Sequence, residues 1–466
     1  QATNYTGAGI DGDPVIISVA DPDAPCNANA LRALDGDPAT IQMGVCAAAV
    51  PSRSSAMDND VLIHEYGHSL LERLMAGPLV FGGNGLQVGA IHEGFADFLA
   101  LWYSMDMGDT PESPELMGEY FIPGGIRRNP YAHDLSVNPI NFESWNPDDD
   151  AFGTPNDNPH PGGEIWASTL YDMTWELIFK YGGARDETAM PIAFNEDIYA
   201  SVGSASGRRL PITSNLGWDE LDLNTGANNL ALQLVIDGAK LTNQEPTFVD
   251  MRNGILAADT ALTGGVNHDA IWRAFARRGL GYNADAWDQT TNPPSDTSPI
   301  STSYAMPSTS ADIAGIVFLD ADNDGVRDLN ESALEGITIF LDVNDNGQLD
   351  RLEPRTVTNE SGEYNFVLYA GGQFKIKAVP PSETIQTHPD PTPVPGGPAN
   401  DGSHEVYIPL GQSASDIDFG FRPFADALGV FGTKYTDVNG NGIQDDPVTE
   451  PGLEGVYIYL DHDLDG

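Results

Sequence analysis

In His64-Glu65-Tyr66-Gly67-His68 the two histidines lie four residues apart. On a helix they stand one turn above each other, where both can close on one metal ion with Glu65 beside it. A catalytic zinc needs three protein ligands and one open position for water and then a substrate oxygen. Glu93, in Ile91-His92-Glu93-Gly94-Phe95-Ala96-Asp97-Phe98, is the best-placed third ligand. It follows at the separation expected when one helix, a turn and a second antiparallel helix lead back to the metal. Asp97, four residues further on the same face, can accept the second ring N–H of a ligating histidine and fix its tautomer.

The elements that must position these residues can be read around them. Asp58-Asn59-Asp60 can cap the motif helix, Val61, Leu62, Leu70, Leu71 and Leu74 give it a buried side, and Gly77-Pro78 ends it. Residues 79–89 read as a glycine-rich loop and 91–103 as a second helix. The second helix is apolar around Glu93 and Asp97, so these acids need a neutralising partner in the core, and a zinc ion supplies one. Residues 108–160, rich in Pro, Asn and Asp, suit loops on the rim of a cleft. Helical spacing returns over 164–181, 227–241, 246–262 and 267–278, with Gly279 as a stop signal. The expected organisation is a mainly α catalytic unit at 58–283. Ahead of it, 1–57 reads as loops around one or two strands, the end of an N-terminal lobe, and 284–310 is a Ser/Thr/Pro linker.

Several separate blocks give this unit a family likeness. They are the capped His64–His68 motif, Glu93 to Phe98, Gly125-Ile126-Arg127-Arg128-Asn129-Pro130-Tyr131 and Gly163-Glu164-Ile165-Trp166-Ala167, followed by the long block from Ala258-Asp259 to Gly281. Over about residues 1–283 the chain resembles the fungalysin-type metallopeptidases, which stand with thermolysin among zinc peptidases whose third ligand is a glutamate. The resemblance implies a thermolysin-like α+β unit with its upstream lobe. It implies zinc on His64, His68 and Glu93, Glu65 as general base, and a histidine before the Gly-Glu-Ile-Trp block that donates to the oxyanion. That position is His160, held between Pro159 and Pro161 where the family has an aliphatic residue ahead of the histidine. Arg127 or Arg128 is expected to bind a substrate carbonyl in the cleft or to form a surface salt bridge.

From Ile313 the pattern changes to short apolar strands over 315–319, 336–341, 364–369, 373–379 and 406–410, the signature of an all-β sandwich. Asp320, Asp322, Asp324, Asp328 and Glu331 fall at positions 1, 3, 5, 9 and 12 of a loop with Gly325 at position 6. Asp342, Asn344, Asn346, Asp350 and Glu353 repeat the spacing around Gly347, and Asp437, Asn439, Asn441 and Asp445 begin it again. Such loops gather oxygen ligands around calcium, and flanking strands rather than helices exclude true EF-hands. The repeat implies an array of modules. One spans 311–424 and a second begins at 425–466, and they resemble the calcium-binding B-type, prealbumin-like sandwiches of serine-aspartate repeat surface proteins. Calcium would stiffen such a stalk against its own charge repulsion.

A net charge of −48, from 69 acidic against 21 basic residues, argues against nucleic acid or an anionic membrane as partner. No run is long enough to span a bilayer. Cys26 and Cys46 read equally well as an extracellular disulfide or as two small core residues. The chain reads as a piece of a longer exported protein, bacterial and secreted or cell-surface. The expected activity is zinc-dependent endopeptidase action on protein or peptide substrates. The rivals are a zinc exopeptidase, for which no charged pocket motif is visible, and an adhesin-like structural protein with an inactive peptidase domain.

Overall fold

A computed structural model describes residues 15–31, 38–47, 50–75, 86–105, 109–145, 158–182, 226–242, 246–286, 300–350, 352–391 and 401–423, with Lys434, Tyr435, Thr436 and Val438. Asp437, Asn439, Asn441 and Asp445 lie outside the described residues.

The N-terminal part carries more sheet than its sequence suggested. Strands β1 (Val15–Val19), β2 (Ala28–Leu31) and β3 (Ala39–Met43) form one sheet in the order β1-β3-β2, and β4 (Val45–Cys46) pairs with β5 (Arg53–Ser54). β1 runs parallel to β3, while β2 runs antiparallel to it with Ala30 opposite Ile41. Ala28, Ile41, Met43 and Cys46 pack with Val61 of the motif helix, so this sheet seats the helix. Cys26 and Cys46 form a disulfide 20 residues apart, which settles the alternative left open by the sequence. Closing a loop of that length limits the unfolded chain. Cys26→Ser with Cys46→Ser should lower unfolding free energy by about 3 kcal/mol, read as an earlier urea midpoint, with a slope no shallower than before because the uncrosslinked unfolded chain exposes more surface.

The helices are α1 (Asn59–Leu74), α2 (Leu86–Ser104), α3 (His160–Gly182), α4 (Ala227–Lys240), α5 (Phe248–Thr263) and α6 (His268–Arg277). Asp58 caps α1 by accepting from the Asp60 N–H. α5 opens on a reciprocal Thr247–Asp250 capping box and stops at Gly264, whose φ of 72° suits glycine. α2 begins at Leu86, inside the stretch read as loop, because Gln87 anchors its first turn by donating to the Ala286 carbonyl and accepting from the Phe248 N–H. α3 is buried along nearly its whole described length, the pattern of a helix at the centre of a core rather than on its surface.

The C-terminal part is a β-sandwich. One sheet has the order β12 (His404–Ile408), β10 (Gly372–Ala378), β7 (Thr338–Leu341), β8 (Arg355–Val357). The other centres on β6 (Ala311–Leu319), which pairs with β9 (Glu363–Leu368), β13 (Ser413–Ala414) and β14 (Phe419–Pro423), with β11 (Thr384–His388) beyond β14. Tyr364, Phe366 and Leu368 of β9 and Phe374, Ile376 and Ala378 of β10 alternate inward and fill the space between the sheets. The described part of the expected linker does not hang free: Gly281 N–H donates to the Ser303 carbonyl, Tyr282 N–H to Ala305, and Asp285 exchanges backbone bonds with Ser301.

Candidate zinc centre and acidic loops

His64, His68 and Glu93 converge: one donor atom from each lies within 4.8 Å of the others. The two Nε2 atoms are 3.1 Å apart, and Glu93 Oε2 stands 3.4 Å from that of His64. Glu93 Oε2 is buried and accepts no hydrogen bond, so a carboxylate oxygen aims unsatisfied into a cluster of nitrogen donors. Two imidazole nitrogens and a carboxylate oxygen are a fitting zinc donor set.

Asp97, 0% exposed, holds the cluster from behind. His64 Nδ1 donates to its Oδ1 at 2.6 Å, and Arg127 grips both its oxygens at 2.6 and 2.7 Å. The Tyr131 hydroxyl also donates to it. Burial pushes the Asp97 carboxyl up, but Arg127 and His64 outweigh it and hold the pKa well below the usual range. Burial lowers the His64 pKa, while Asp97 and Glu93 carry it up to about 10. His68 goes the other way, to about 4, because burial dominates there. Metal and proton therefore compete for the His64 ring, since an imidazole nitrogen must be deprotonated to bind a metal ion.

Glu65 lies alongside, accepts from the Ala30 backbone N–H of β2, and is pushed up to about 7, first by burial. His160 opens α3, with Pro161 in the first turn, where a missing N–H costs nothing. Its Nδ1 donates to Asn158 Oδ1 at 2.7 Å and its Nε2 stands 3.2 Å from Glu93 Oε2. Asn158 on one ring nitrogen and Glu93 beside the other thus hold His160, between its two prolines, facing the cluster. Burial lowers its pKa against the pull of Glu93.

Arg127 and Arg128 are both engaged with carboxylates. The Arg127 side chain is 7% exposed, and Arg128 Nε donates to Glu164 Oε2 at 2.8 Å and Nη2 to the Pro161 carbonyl. Of the two roles read from sequence, substrate contact or salt bridge, these contacts are of the salt-bridge kind and hold Asp97 and the start of α3. Tyr131 and Asn158 were missed as site residues. Asn158 carried one signal, an Asx residue two places before a helix-opening histidine.

Gly94 and Gly163 let α2 and α3 touch beside the ligand. A Cβ on Gly163 would lie 2.4 Å from Glu93 Cβ, and one on Gly94 2.6 Å from the Gly163 carbonyl. Gly163→Ala should lower stability by about 1–3 kcal/mol and weaken zinc retention, measured by denaturation and by competition with a chromogenic chelator.

In the sandwich, the two acidic loops share one bonding scheme. Asp320 accepts from the Asp324 and Gly325 N–H groups, as Asp342 does from Asn346 and Gly347. Glu331 accepts from Ala321 and Asp328, as Glu353 does from Val343 and Asp350. Asn323, Gly325, Asp345 and Gly347 all have φ between 57° and 76°. Donor oxygens of Asp320, Asp322 and Asp324 lie within 4.8 Å of one another. The second loop departs from the expected ligand set. Its close trio is Asp342, Asp345 and Asp401, with Lys375 paired to the last two, while Asn344 and Asn346 donate to Asp350. Glu353, 0% exposed, is pushed up to about 7 by burial and then by Asp342 and Asp350. Arg355 is the basic group beside this carboxylate and does not offset its burial among acids, a fit for a cation held by oxygen ligands.

Residues 1–284 match the family model described as fungalysin metallopeptidase (M36). The chain belongs to the fungalysin family. Residues 311–421 of this fungalysin-family chain match the SdrD B-like domain model. Its similar relatives include the extracellular metalloproteinase MEP of Neosartorya fischeri, 35% identical over 285 residues (60% of this chain, 39% of the relative). The enzyme of the same name from Pyricularia oryzae is 33% identical over 287 residues (61% and 40%). The fungalysin-family chain therefore spans about two fifths of the length of these relatives. They are fungal and lend no support to the bacterial source expected from sequence. Among solved structures, the minor pilin of Streptococcus agalactiae matches with a TM-score of 0.17 and 14% identity over 30% of this chain and 55% of that one, too slight to carry an argument. No helix among the described residues is long and apolar enough to cross a membrane.

Proposed function

We propose that the chain is the catalytic part of a secreted zinc endopeptidase acting on protein or peptide substrates, followed by calcium-stabilised sandwich modules. The observation that carries the reading is the convergence of His64, His68 and the unsatisfied Glu93 oxygen beside a buried Glu65. Zinc, held by His64, His68 and Glu93, would supply the Lewis acidity that activates water and polarises the scissile carbonyl. Glu65 takes the proton of the attacking water and returns it to the leaving amine, and a carboxyl lifted towards neutrality suits both roles. His160 presents Nε2 toward the cluster while Asn158 fixes the ring through Nδ1; burial holds the free ring neutral, and the negative charge that builds on the oxyanion favours the doubly protonated ring that donates to it. Asp97 keeps the His64 Nε2 lone pair free for the metal, with Arg127 and Tyr131 holding Asp97 in turn.

Among the described residues β2 is an edge strand of its sheet, with its Ala30 N–H on Glu65, and an extended substrate would pair along that edge. The loops 320–331 and 342–353 are the proposed calcium sites. The test is casein hydrolysis by the zinc-loaded chain, abolished by 1,10-phenanthroline and restored by added zinc. Hydrolysis that survives the chelator would sink the zinc reading, and none under any loading would favour the inactive structural alternative.

A further inference from the structure

The sandwich does not merely follow the catalytic unit; the two share a core. Leu352, between Asp350 and Glu353 of the second acidic loop, is 1% exposed, and every other buried member of its apolar cluster belongs to residues 71–286. Val343 and Tyr369 of the sandwich pack on the same cluster. In the other direction, Val266, from the turn between α5 and α6, is buried in the core of the sandwich. The contact continues in polar form: His268 Nδ1 donates to the Tyr369 carbonyl at 3.3 Å, and Gly265 is so close to Ala370 that an added Cβ would lie 2.5 Å from the alanine methyl. Arg355 binds the Asp350 and Glu353 carbonyls of the loop and stands near enough to Tyr181, in the last turn of α3, to influence its ionisation. Tyr181 donates to Asn267 in the α5–α6 turn. The loop therefore presses on a turn that also carries the far end of α3, the helix whose first residue is His160.

An apolar side chain fixed between two acidic ligand positions moves with them. Leu352 sits between Asp350 and Glu353, and Glu353 is tied to the rest of the loop by accepting from the Val343 and Asp350 N–H groups, so the position of these oxygens and that of the Leu352 side chain are set together. With a cation the segment is drawn together. We propose that the 342–353 loop is an intramolecular clamp, in which calcium bound by the sandwich stabilises the catalytic unit through the Leu352 contact. The proposal rests on the calcium reading above.

Six of the seven tryptophans lie in the catalytic unit, the seventh is Trp287 at the start of the linker, and the sandwich has none, so tryptophan fluorescence reports on the catalytic side of the chain and not on the sandwich. The full chain, zinc-loaded and stripped of calcium on a chelating resin with zinc restored, is melted with and without added calcium. Calcium binding is followed separately by titration calorimetry. Calcium should raise the tryptophan-reported midpoint by about 5 °C. Asp350→Asn with Glu353→Gln should remove that increment, and Asp322→Asn with Asp324→Asn should leave it, because the first loop adds no residue to the shared core. Leu352→Ala should lower the midpoint and lose most of the increment while calorimetry still detects calcium. Leu352→Val, expected to show an intermediate loss, serves if the alanine variant fails to fold. Calcium binding with no movement of the tryptophan midpoint would overturn the clamp and leave the calcium reading intact, as would an increment that survives in the second-loop variant. No calcium binding by calorimetry would remove both.

Discussion

Glu65→Gln keeps its fold and its zinc and loses peptide hydrolysis about a thousandfold or more. The amide still offers an oxygen to the Ala30 N–H, so the local structure has no reason to move. What disappears is the group that accepts a proton from water. The variant also makes a prediction about stability. In the metal-free chain the Glu65 pKa is raised from 4.5 to about 7, first by burial. An acid whose folded pKa is raised favours the native state at low pH, and that contribution is lost as pH climbs from the unfolded value through about 7, by roughly 3 kcal/mol in all. The metal-free Gln variant lacks this titration. It should unfold at higher denaturant than metal-free wild type at pH 8, and the two should draw together near pH 4.5. Substantial hydrolysis by the zinc-loaded variant would remove Glu65 from its proposed role.

Arg278→Met should destabilise the chain by about 3–5 kcal/mol without touching the zinc cluster. Arg278 is 0% exposed. It donates to both oxygens of Asp172 at 2.7 and 2.9 Å and to the carbonyls of Ala132, Asn138 and Ile140. This guanidinium neutralises a buried acid on α3, with Arg277 Nε a further 3.3 Å partner of Asp172, and closes the 131–142 loop, whose Tyr131 reaches Asp97. Burial already pushes the Asp172 pKa up against the pull of Arg278. With the arginine gone it rises further, so the penalty should be smaller at pH 5 than at pH 8. Thermal melts at the two pH values check this, and adding Asp172→Asn should recover part of the loss. A pH-independent loss of under 1 kcal/mol would contradict the structural role.

These two residues mark where the sequence could and could not be read. The motif around Glu65 was legible because its spacing is local: one helix carries His64, Glu65 and His68, and a second carries Glu93 and Asp97. Arg278 was visible only as part of a block, since its partners lie 106 to 146 residues away. Helices with 3.6-residue apolar spacing were found to within a few residues. The Ala28–Leu31 and Ala39–Met43 strands were not. Neither reads as a clear strand by itself, and packing against α1 and the disulfide help hold them. β14 was not read as a strand, because its partner, β6, pairs with it in parallel across about 100 residues. Leu352 was hidden most completely, as an apolar residue amid ligand-type acids whose burial depends on a surface far along the chain.

The meeting of α2 and α3 at Gly94 and Gly163 bears on how far this centre can be re-engineered. Backbone and Cβ atoms, not adjustable side chains, set the distance between the helices at Glu93. Glu93→Asp would withdraw the carboxylate by about 1.5 Å, and α2, packed closely on α3 at Gly163 and on α1 at Gly67, has little room to shift and restore it. Ligand swaps at position 93 therefore have to preserve reach as well as charge, and a different metal would have to be accommodated by side-chain length alone.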